Sequence, residues 1–223
     1  MAVRLALILL FALPAFARTL HWKSFDVDAR LDRDGNLHVS ETQRMVFDGD
    51  WNGGERDFYT SGNQELEIHR IVRLDGTREV PLAEGDLEQV DQWQLTTGDV
   101  ARWRSRLPSD PPFANQELTY RLDYTIRKLL LVDDTGKQFM LDHDFGLPER
   151  TAGAIERFTV RLTFDPVWRA EPVTIVRENN QPGEPVKVDI PLTYPAGMFP
   201  AGVDRPIAAW IPLAVLALFA IGL

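Results

Sequence analysis

Three consecutive residues, Asp142-His143-Asp144, carry the side chains best suited to metal binding in this sequence. Imidazole and carboxylate groups are common ligands of Zn²⁺. In a strand, however, successive side chains point to opposite faces, so His143 would point away from both aspartates. The remaining histidines are scattered along the chain, at His21, His38 and His69. The pattern therefore favours a polar strand end before the turn at Gly146-Leu147-Pro148, and neither a metal nor another cofactor is expected.

A second acidic segment, Asp32-Arg33-Asp34-Gly35-Asn36, looks like the start of a calcium loop. An EF-hand loop needs glycine at its sixth position and a bidentate glutamate at its twelfth. Counted from Asp32, those positions hold Leu37 and Gln43, so the calcium motif fails. A tight turn between two strands explains the same residues, with Gly35 at a position of positive φ.

The sequence offers no nucleophile with identifiable partners. It lacks the G-x-S-x-G turn of the α/β-hydrolases. It also contains no cysteine, which excludes thiol nucleophiles, Fe–S clusters and cysteine zinc sites. With 33 acidic residues, a pair of carboxylates that hydrolyses glycosidic bonds stays an open alternative, but the number of acidic residues does not identify such a pair. No catalytic residue is predicted.

Glu41 is the most informative single acidic residue. The apolar residues after the predicted turn share one parity: Leu37, Val39, Met45 and Phe47. Glu41 has the same parity, which points its carboxylate toward the core. Because an unpaired buried charge is costly, it needs a cation, and Arg56 is the nearest plausible partner along the chain. We interpret the pair as structural, with a ligand-facing role as the alternative.

Alternation of apolar and polar residues dominates the middle of the chain, and this predicts half-buried strands. The clearest run places five apolar residues on one face: Leu118, Tyr120, Leu122, Tyr124 and Ile126. A second hairpin is predicted from 71–74 and 79–82 around Asp75-Gly76, with Pro81 confining the outer strand to a sheet edge. Since helical periodicity is weak, the predicted fold is all-β, an antiparallel β-sandwich of about eight or nine strands.

Both ends of the chain are apolar. Residues 1–17 combine one charge, Arg4, with an apolar run that closes on Ala15-Phe16-Ala17, which is typical of a signal peptide cleaved before Arg18. Residues 206–223 carry no ionisable side chain and would span about 27 Å as a helix, which predicts a transmembrane helix. No Lys or Arg follows it, which favours a sequence truncated within or just after this span.

The composition limits the partners of the region between these ends. That region is predicted to comprise an extracytoplasmic domain, 18–194, and a Pro/Gly linker, 195–205. The net charge of −9 for the whole chain and the lack of a basic cluster argue against nucleic acid, which requires positive charge to neutralise phosphates. Membrane association is therefore expected through the apolar C-terminal segment, and not through a basic surface.

Several short motifs follow one another in an order shared with a known family. They are Ser24-Phe25-Asp26-Val27, then Asp34 to Glu41, then a glycine-rich segment with Arg56-Asp57, and then Tyr120 to Tyr124. This order resembles the predicted-membrane-protein family catalogued as domain of unknown function 2207, over about residues 19–164. The resemblance implies an exported β-rich domain followed by membrane helices. It implies no activity and no catalytic residues.

Together these features predict a non-enzymatic, membrane-anchored interaction or assembly module with a protein partner in the membrane or envelope. Two alternatives stay open: a cell-envelope hydrolase that uses paired carboxylates, and a sensor or accessory domain of a larger transporter or signalling protein. Two carboxylates converging in a concave cleft would favour the hydrolase. An exposed strand edge or apolar patch would favour binding.

Overall fold

The computed structural model describes residues 18–60, 62–151 and 153–205. Within these ranges the chain forms fourteen β-strands and one short 3₁₀ helix, Pro166–Trp168, and no α-helix. The predicted all-β class is therefore confirmed. The predicted signal peptide (1–17) and transmembrane helix (206–223) lie outside the described residues. Across the described part of the chain, no helix has the length and apolarity needed to cross a bilayer.

The strands form three sheets. In chain order they are β1 (Thr19–Leu31), β2 (Leu37–Gly49), β3 (Gly53–Asp57), β4 (Glu65–Asp75), β5 (Arg78–Pro81), β6 (Ala83–Glu84), β7 (Gln92–Thr96), β8 (Val100–Arg104), β9 (Phe113–Arg127), β10 (Leu131–Val132), β11 (Gln138–Asp144), β12 (Ile155–Phe164), β13 (Val173–Asn180) and β14 (Lys187–Thr193). The largest sheet has seven strands in the order β13-β12-β1-β2-β9-β4-β5. A four-stranded sheet has the order β3-β8-β7-β6, and a three-stranded sheet the order β10-β11-β14.

Two features of this topology differ from the predicted antiparallel sandwich of eight or nine strands. The sheets are mixed, because β1 runs parallel to β12, with Phe25 opposite Phe158, and β6 runs parallel to β7. The strand count is higher because β6 and β10 have 2 residues each and β7 and β8 have 5. Strands this short contain too few alternations to stand out in the sequence.

Both predicted hairpins are present. β1 and β2 pair antiparallel, and the turn between them holds Gly35 at φ +89°. The carboxylate of Asp32 closes this turn by accepting the N–H groups of Asp34 and Asn36, each at 2.9 Å. β4 and β5 form the second hairpin, and Pro81 lies in β5 at the edge of the largest sheet. A proline is tolerated there because its nitrogen has no hydrogen to donate to a further strand.

One hydrophobic core joins the three sheets. The largest sheet contributes Phe25 of β1 and Phe158 of β12, whose rings stack with centroids 4.6 Å apart. Trp103 of β8 and Phe139 of β11 bring the two smaller sheets into the same cluster. The domain therefore rests on packing across sheets, as a chain without cysteine must.

The segment predicted as a linker, 195–205, packs against the β1–β2 turn. The N–H of Gly202 donates to the carbonyl oxygen of Asp34 at 2.8 Å, and Val203 is buried. A β-carbon on Gly35 would lie 2.8 Å from Cγ2 of Val203. These contacts hold the segment on the domain, so over this stretch its prolines and glycines do not form a free tether.

Candidate functional site

Glu41 and Arg56 form a buried ion pair between the largest sheet and the four-stranded sheet. Glu41 lies in β2 and is 0% exposed, and Arg56 lies in β3 and is 2% exposed. Nε of Arg56 lies 3.1 and 3.0 Å from the two carboxylate oxygens. Gln43 donates to the same carboxylate at 2.6 Å, and the Tyr124 hydroxyl donates at 3.3 Å. Three side chains therefore supply the donors that a buried carboxylate requires.

The guanidinium of Arg56 also holds the segment that follows β11. Nη1 donates to the carbonyl oxygens of Asp57 and Gly146 at 2.7 and 3.1 Å. Nη2 donates to the carbonyl oxygen of Phe145 at 3.1 Å. Arg56 thereby joins β2, its own strand β3 and the end of the three-stranded sheet. Trp22 donates in turn to Gln43. We call the five residues joined by these side-chain hydrogen bonds the buried network: Trp22, Glu41, Gln43, Arg56 and Tyr124.

Burial and charge shift the pKa values of Arg56, Tyr124 and the nearby His143. Burial, the largest single cause, would lower the pKa of Arg56, but the charge of Glu41, the Tyr124 hydroxyl and the hydrogen bonds to both groups together outweigh it, and the pKa is raised. Burial, and then the negative charge of Glu41, raises the pKa of Tyr124 well above its usual range, so Tyr124 remains a hydrogen-bond donor. Burial, and then the Arg56 guanidinium, lowers the pKa of His143 to about 4. This imidazole is therefore neutral near pH 7.

A cleft of about 560 Å³ opens beside the buried network. β3 lines it with four of its five residues, Gly53, Gly54, Glu55 and Asp57. Residues 147, 148, 150 and 151, in the segment after β11, line it as well. So does Trp22 of β1, whose indole N–H donates to Gln43 at 2.8 Å. The buried network thus bonds to three of the chain segments that form the cleft.

The cleft contains two ion pairs. Glu55 pairs with Arg102 at 3.1 Å, and Asp57 pairs with Arg150. Glu55 and Asp57 lie two residues apart in β3 and are the two carboxylates that line the cleft. Each carboxylate there therefore has an arginine partner.

Two further arginines leave the cleft positively charged. Arg104 donates from Nε to the carbonyl oxygen of Leu87 at 2.7 Å. Cζ of Arg18 lies 4.3 Å from the ring centroid of Trp51. Neither arginine forms an ion pair with a carboxylate of the described residues. Four arginines against two carboxylates make the cleft cationic, although the chain has a net charge of −9.

One backbone edge of β3 faces away from its sheet. β3 is the terminal strand of the four-stranded sheet. The carbonyl of Asn52 and the N–H of Phe58 bond to residues that flank β8, at 2.8 and 3.1 Å. Because the bonds of an antiparallel ladder alternate, Gly53 and Glu55 direct their N–H and C=O groups away from β8.

A family model described as predicted membrane protein (DUF2207) N-terminal domain matches residues 22–192. The chain belongs to this family. The matched range runs from β1 into β14, so the DUF2207 domain includes the buried network and most of the cleft. The resemblance based on the order of motifs is confirmed.

Two solved structures show a distant likeness to this DUF2207 domain. A protein from Parabacteroides distasonis ATCC 8503, provisionally described as a protease, is 11% identical with a TM-score of 0.39, over 79% of this chain and 40% of that one. An M1 zinc metallopeptidase from Deinococcus radiodurans, in a mutant form bound to a Tyr-Ser-Ala substrate, is 14% identical with a TM-score of 0.43, over 79% and 39%. The chain thus spans about two fifths of either length. A comparison with curated proteins finds no match.

The structure brings together two of the three residues singled out from the sequence of the DUF2207 domain. Glu41 and Arg56 share the buried network, as their parity and spacing predicted. Gly35 lies in the β1–β2 turn against 195–205 and does not line the cleft. The assignment of all three as structural residues stays a prediction.

The Asp142-His143-Asp144 segment has the alternation predicted for a strand. His143 is buried and meets the ring of Phe145 edge-on, with centroids 4.7 Å apart. Asp142 pairs with Lys187 at 2.9 Å, and Asp144 accepts two backbone N–H groups at 2.8 Å. The described residues contain no group of three or more His, Asp or Glu side chains that could hold a metal ion.

Sequence reasoning missed the cleft and most of its residues. Trp22 belongs to β1, whereas Trp103 and Arg104 belong to β8, and no local pattern shows that these two strands meet. One available signal was the pair Gly53-Gly54, because adjacent glycines in a strand indicate close packing. A β-carbon on Gly54 would indeed lie 2.3 Å from the indole ring of Trp103.

Proposed function

We propose that this chain is a non-catalytic interaction module, an extracytoplasmic β-sandwich anchored to a membrane, which binds a protein partner in the cleft beside the buried network. Export and anchoring are inferred from the sequences of residues 1–17 and 206–223. They agree with the family's description as a predicted membrane protein. An anchored module meets partners in the same membrane at high effective concentration, so a weak interface suffices.

The observation that supports this proposal is the contact between the buried network and the cleft. Trp22 lines the cleft and bonds to Gln43, Gln43 bonds to Glu41, and Glu41 pairs with Arg56 of β3. A site whose sides are held by bonded, buried groups loses little conformational freedom on binding. Tryptophan and arginine, which line this cleft, are also the residues that contribute most often to binding energy in interfaces.

The hydrolase alternative would rest on Glu55 and Asp57, which both line the cleft. A glycoside hydrolase needs one carboxyl group that carries a proton at the start of the reaction. Each of these two carboxylates is instead held in an ion pair, Glu55 with Arg102 and Asp57 with Arg150, so neither could act on a substrate without breaking that pair. The binding function therefore accounts better for the cleft. A sensor or accessory domain would use the same cleft as its binding site.

Photocrosslinking in intact membranes tests the proposal. A photoreactive amino acid replaces Thr151, which lines the cleft, in the full chain. The matched control places it at Thr193, an exposed threonine at the end of β14 that does not line the cleft. We expect protein adducts of discrete mass from position 151 and none above background from position 193.

Two results would contradict the proposal. Equal labelling at both positions would show that the cleft does not select a partner. Turnover of a cell-wall or glycan substrate by the full chain, lost in both Glu55→Gln and Asp57→Asn, would replace the binding function with the hydrolase alternative.

A further inference from the structure

The cleft combines a cationic lining with an open strand edge, and this combination limits the chemistry of its ligand. We infer that the cleft binds an extended, acidic segment of a partner protein, which adds as a strand to the free edge of β3. This inference rests on the proposed binding function and specifies the class of its ligand.

The backbone of β3 supplies the first requirement. Gly53 and Glu55 turn their N–H and C=O groups away from β8, and no other described residue bonds to these groups. Groups on one edge of a strand recur at every second residue, about 7 Å apart. An extended peptide has the same repeat and can pair with each of them, which is the basis of recognition by strand addition. A sugar chain lacks alternating amide donors and acceptors at this spacing.

The glycines of β3 leave this edge accessible. Gly53 and Gly54 have no side chain to screen the backbone, and both line the cleft. Packing also requires glycine here, since a β-carbon on Gly53 would lie 1.8 Å from the carbonyl oxygen of Trp103. Substitution of these glycines would therefore disturb the fold, and the test uses the arginines instead.

The arginines supply the second requirement. Arg102 and Arg150 already pair with Glu55 and Asp57, whereas Arg104 and Arg18 have no carboxylate partner among the described residues. In an extended peptide, alternate side chains point to the same face, so acidic residues at every second position could reach these two guanidinium groups together. In a protein with a net charge of −9, this local excess of positive charge selects acidic segments and repels basic ones.

Selection from a displayed library of random eight-residue peptides, with the full chain purified in detergent as the target, tests the inference. We expect enrichment of sequences with Asp or Glu at alternate positions. The best peptide is then synthesised in three altered forms: with Asn and Gln replacing its acids, with N-methyl groups on one alternate set of amides, and with N-methyl groups on the other set. The acid-free form and one N-methylated form should bind about tenfold more weakly or worse, while the other N-methylated form should bind nearly normally.

Matched variants assign the binding to the cleft. Arg104→Gln should weaken binding of the selected peptide about tenfold, whereas Arg177→Gln, at an exposed position of β13, should leave it unchanged. The thermal unfolding of both variants is measured to verify that they fold. If Arg104→Gln fails to fold, Arg18→Gln takes its place, since the Arg18 guanidinium lies over the Trp51 ring and pairs with no carboxylate of the described residues.

Three results would overturn the inference. Selected peptides without an acidic bias would remove the charge requirement, and equal tolerance of both N-methylated forms would remove the strand pairing. If an oligogalacturonide bound and was displaced by no peptide, the ligand would be an anionic glycan. In that case Thr151 crosslinks to protein would decide the proposed function separately, because that experiment does not depend on the chemistry of the bound segment.

Discussion

At the scale of single residues, Glu41 is the position where a small change should cost the most. Glu41→Ala leaves Arg56 charged, buried and without its carboxylate, and we expect a loss of about 3 kcal/mol in the free energy of unfolding. Urea denaturation of the full chain, followed by intrinsic fluorescence, measures it. Glu178→Ala is the matched control, because Glu178 pairs with Arg157 at an exposed site, and it should leave the midpoint nearly unchanged.

A double-mutant cycle tests the pairing itself. Arg56→Met retains much of the apolar stem of the side chain, and the double variant Glu41→Ala with Arg56→Met removes both charges. We expect a coupling energy above about 1 kcal/mol, because each single variant leaves an uncompensated buried charge that the double variant does not. A coupling near zero would show that Gln43 and Tyr124 satisfy Glu41 without help from Arg56.

His143 should make the stability depend on pH. Its pKa is lowered to about 4 in the folded protein, first by burial and then by Arg56, against 6.5 for an ordinary histidine. Below pH 6.5 the unfolded chain takes up a proton that the folded protein does not, so stability is complete above 6.5 and falls as the pH drops toward 4. The full loss amounts to about 3 kcal/mol. Between pH 7 and pH 5, the urea midpoint of His143→Phe should fall less than that of the unaltered protein. If the two midpoints fall equally with pH, groups other than His143 cause the effect.

At the scale of elements, the β1–β2 turn can be compared with the β4–β5 turn. Gly35 and Gly76 both have positive φ, at +89° and +64°, but a β-carbon on Gly35 would meet Val203 at 2.8 Å and one on Gly76 would meet nothing within 4 Å. Gly76→Val should cost about 1 to 2 kcal/mol through conformation alone, and Gly35→Val about 1 kcal/mol more through crowding. Thermal or urea unfolding measures both. If Val203→Ala does not reduce the cost of Gly35→Val, the crowding argument is wrong.

These elements also show where sequence patterns suffice. Long strands such as β9 repeat the alternation often enough to reveal both the strand and its buried face, and Glu41 was placed inward by the same reasoning. The glycine after Asp34 indicated the first turn because few other residues adopt positive φ. β6 and β10 have only 2 residues each, so the alternation is not repeated and does not reveal them. The parallel pairing of β1 with β12 has no local signal at all, because it depends on residues far apart in the chain.

At the scale of the whole molecule, the last strands should be needed for any cooperative folding. β12 pairs with β1 inside the largest sheet, and β14 pairs with β11. A fragment of residues 18–154 lacks these strands and would expose Phe25 at a new sheet edge. We expect it to show no cooperative thermal transition by far-UV circular dichroism, in contrast to the full chain. A transition at the same temperature would mean that β12 to β14 form a separate unit.

The cleft illustrates what whole-molecule assembly adds to sequence patterns. Most of its residues come from β1, β3, β8 and the segment after β11, and each is ordinary in its own segment. Arg104 alternates with Trp103 as any half-buried strand would require. Only the stacking of the four-stranded sheet on the largest sheet places their strand beside Trp22, and alternation along a strand contains no information on which sheets stack.

The docking of 195–205 on the β1–β2 turn has a mechanical consequence. Tension applied at Arg205 would reach the domain through Gly202 and Val203, and hence at the closed end of the β1–β2 hairpin. Both strands have 13 residues, and their outer sides are bonded to β12 and β9. The load would therefore spread into four neighbouring strands in the middle of the largest sheet, and not peel away an edge. Because the segment 195–205 is docked on the domain, rotation applied at Arg205 would turn the whole domain. The cleft would therefore keep a fixed orientation relative to the structure to which Arg205 is attached.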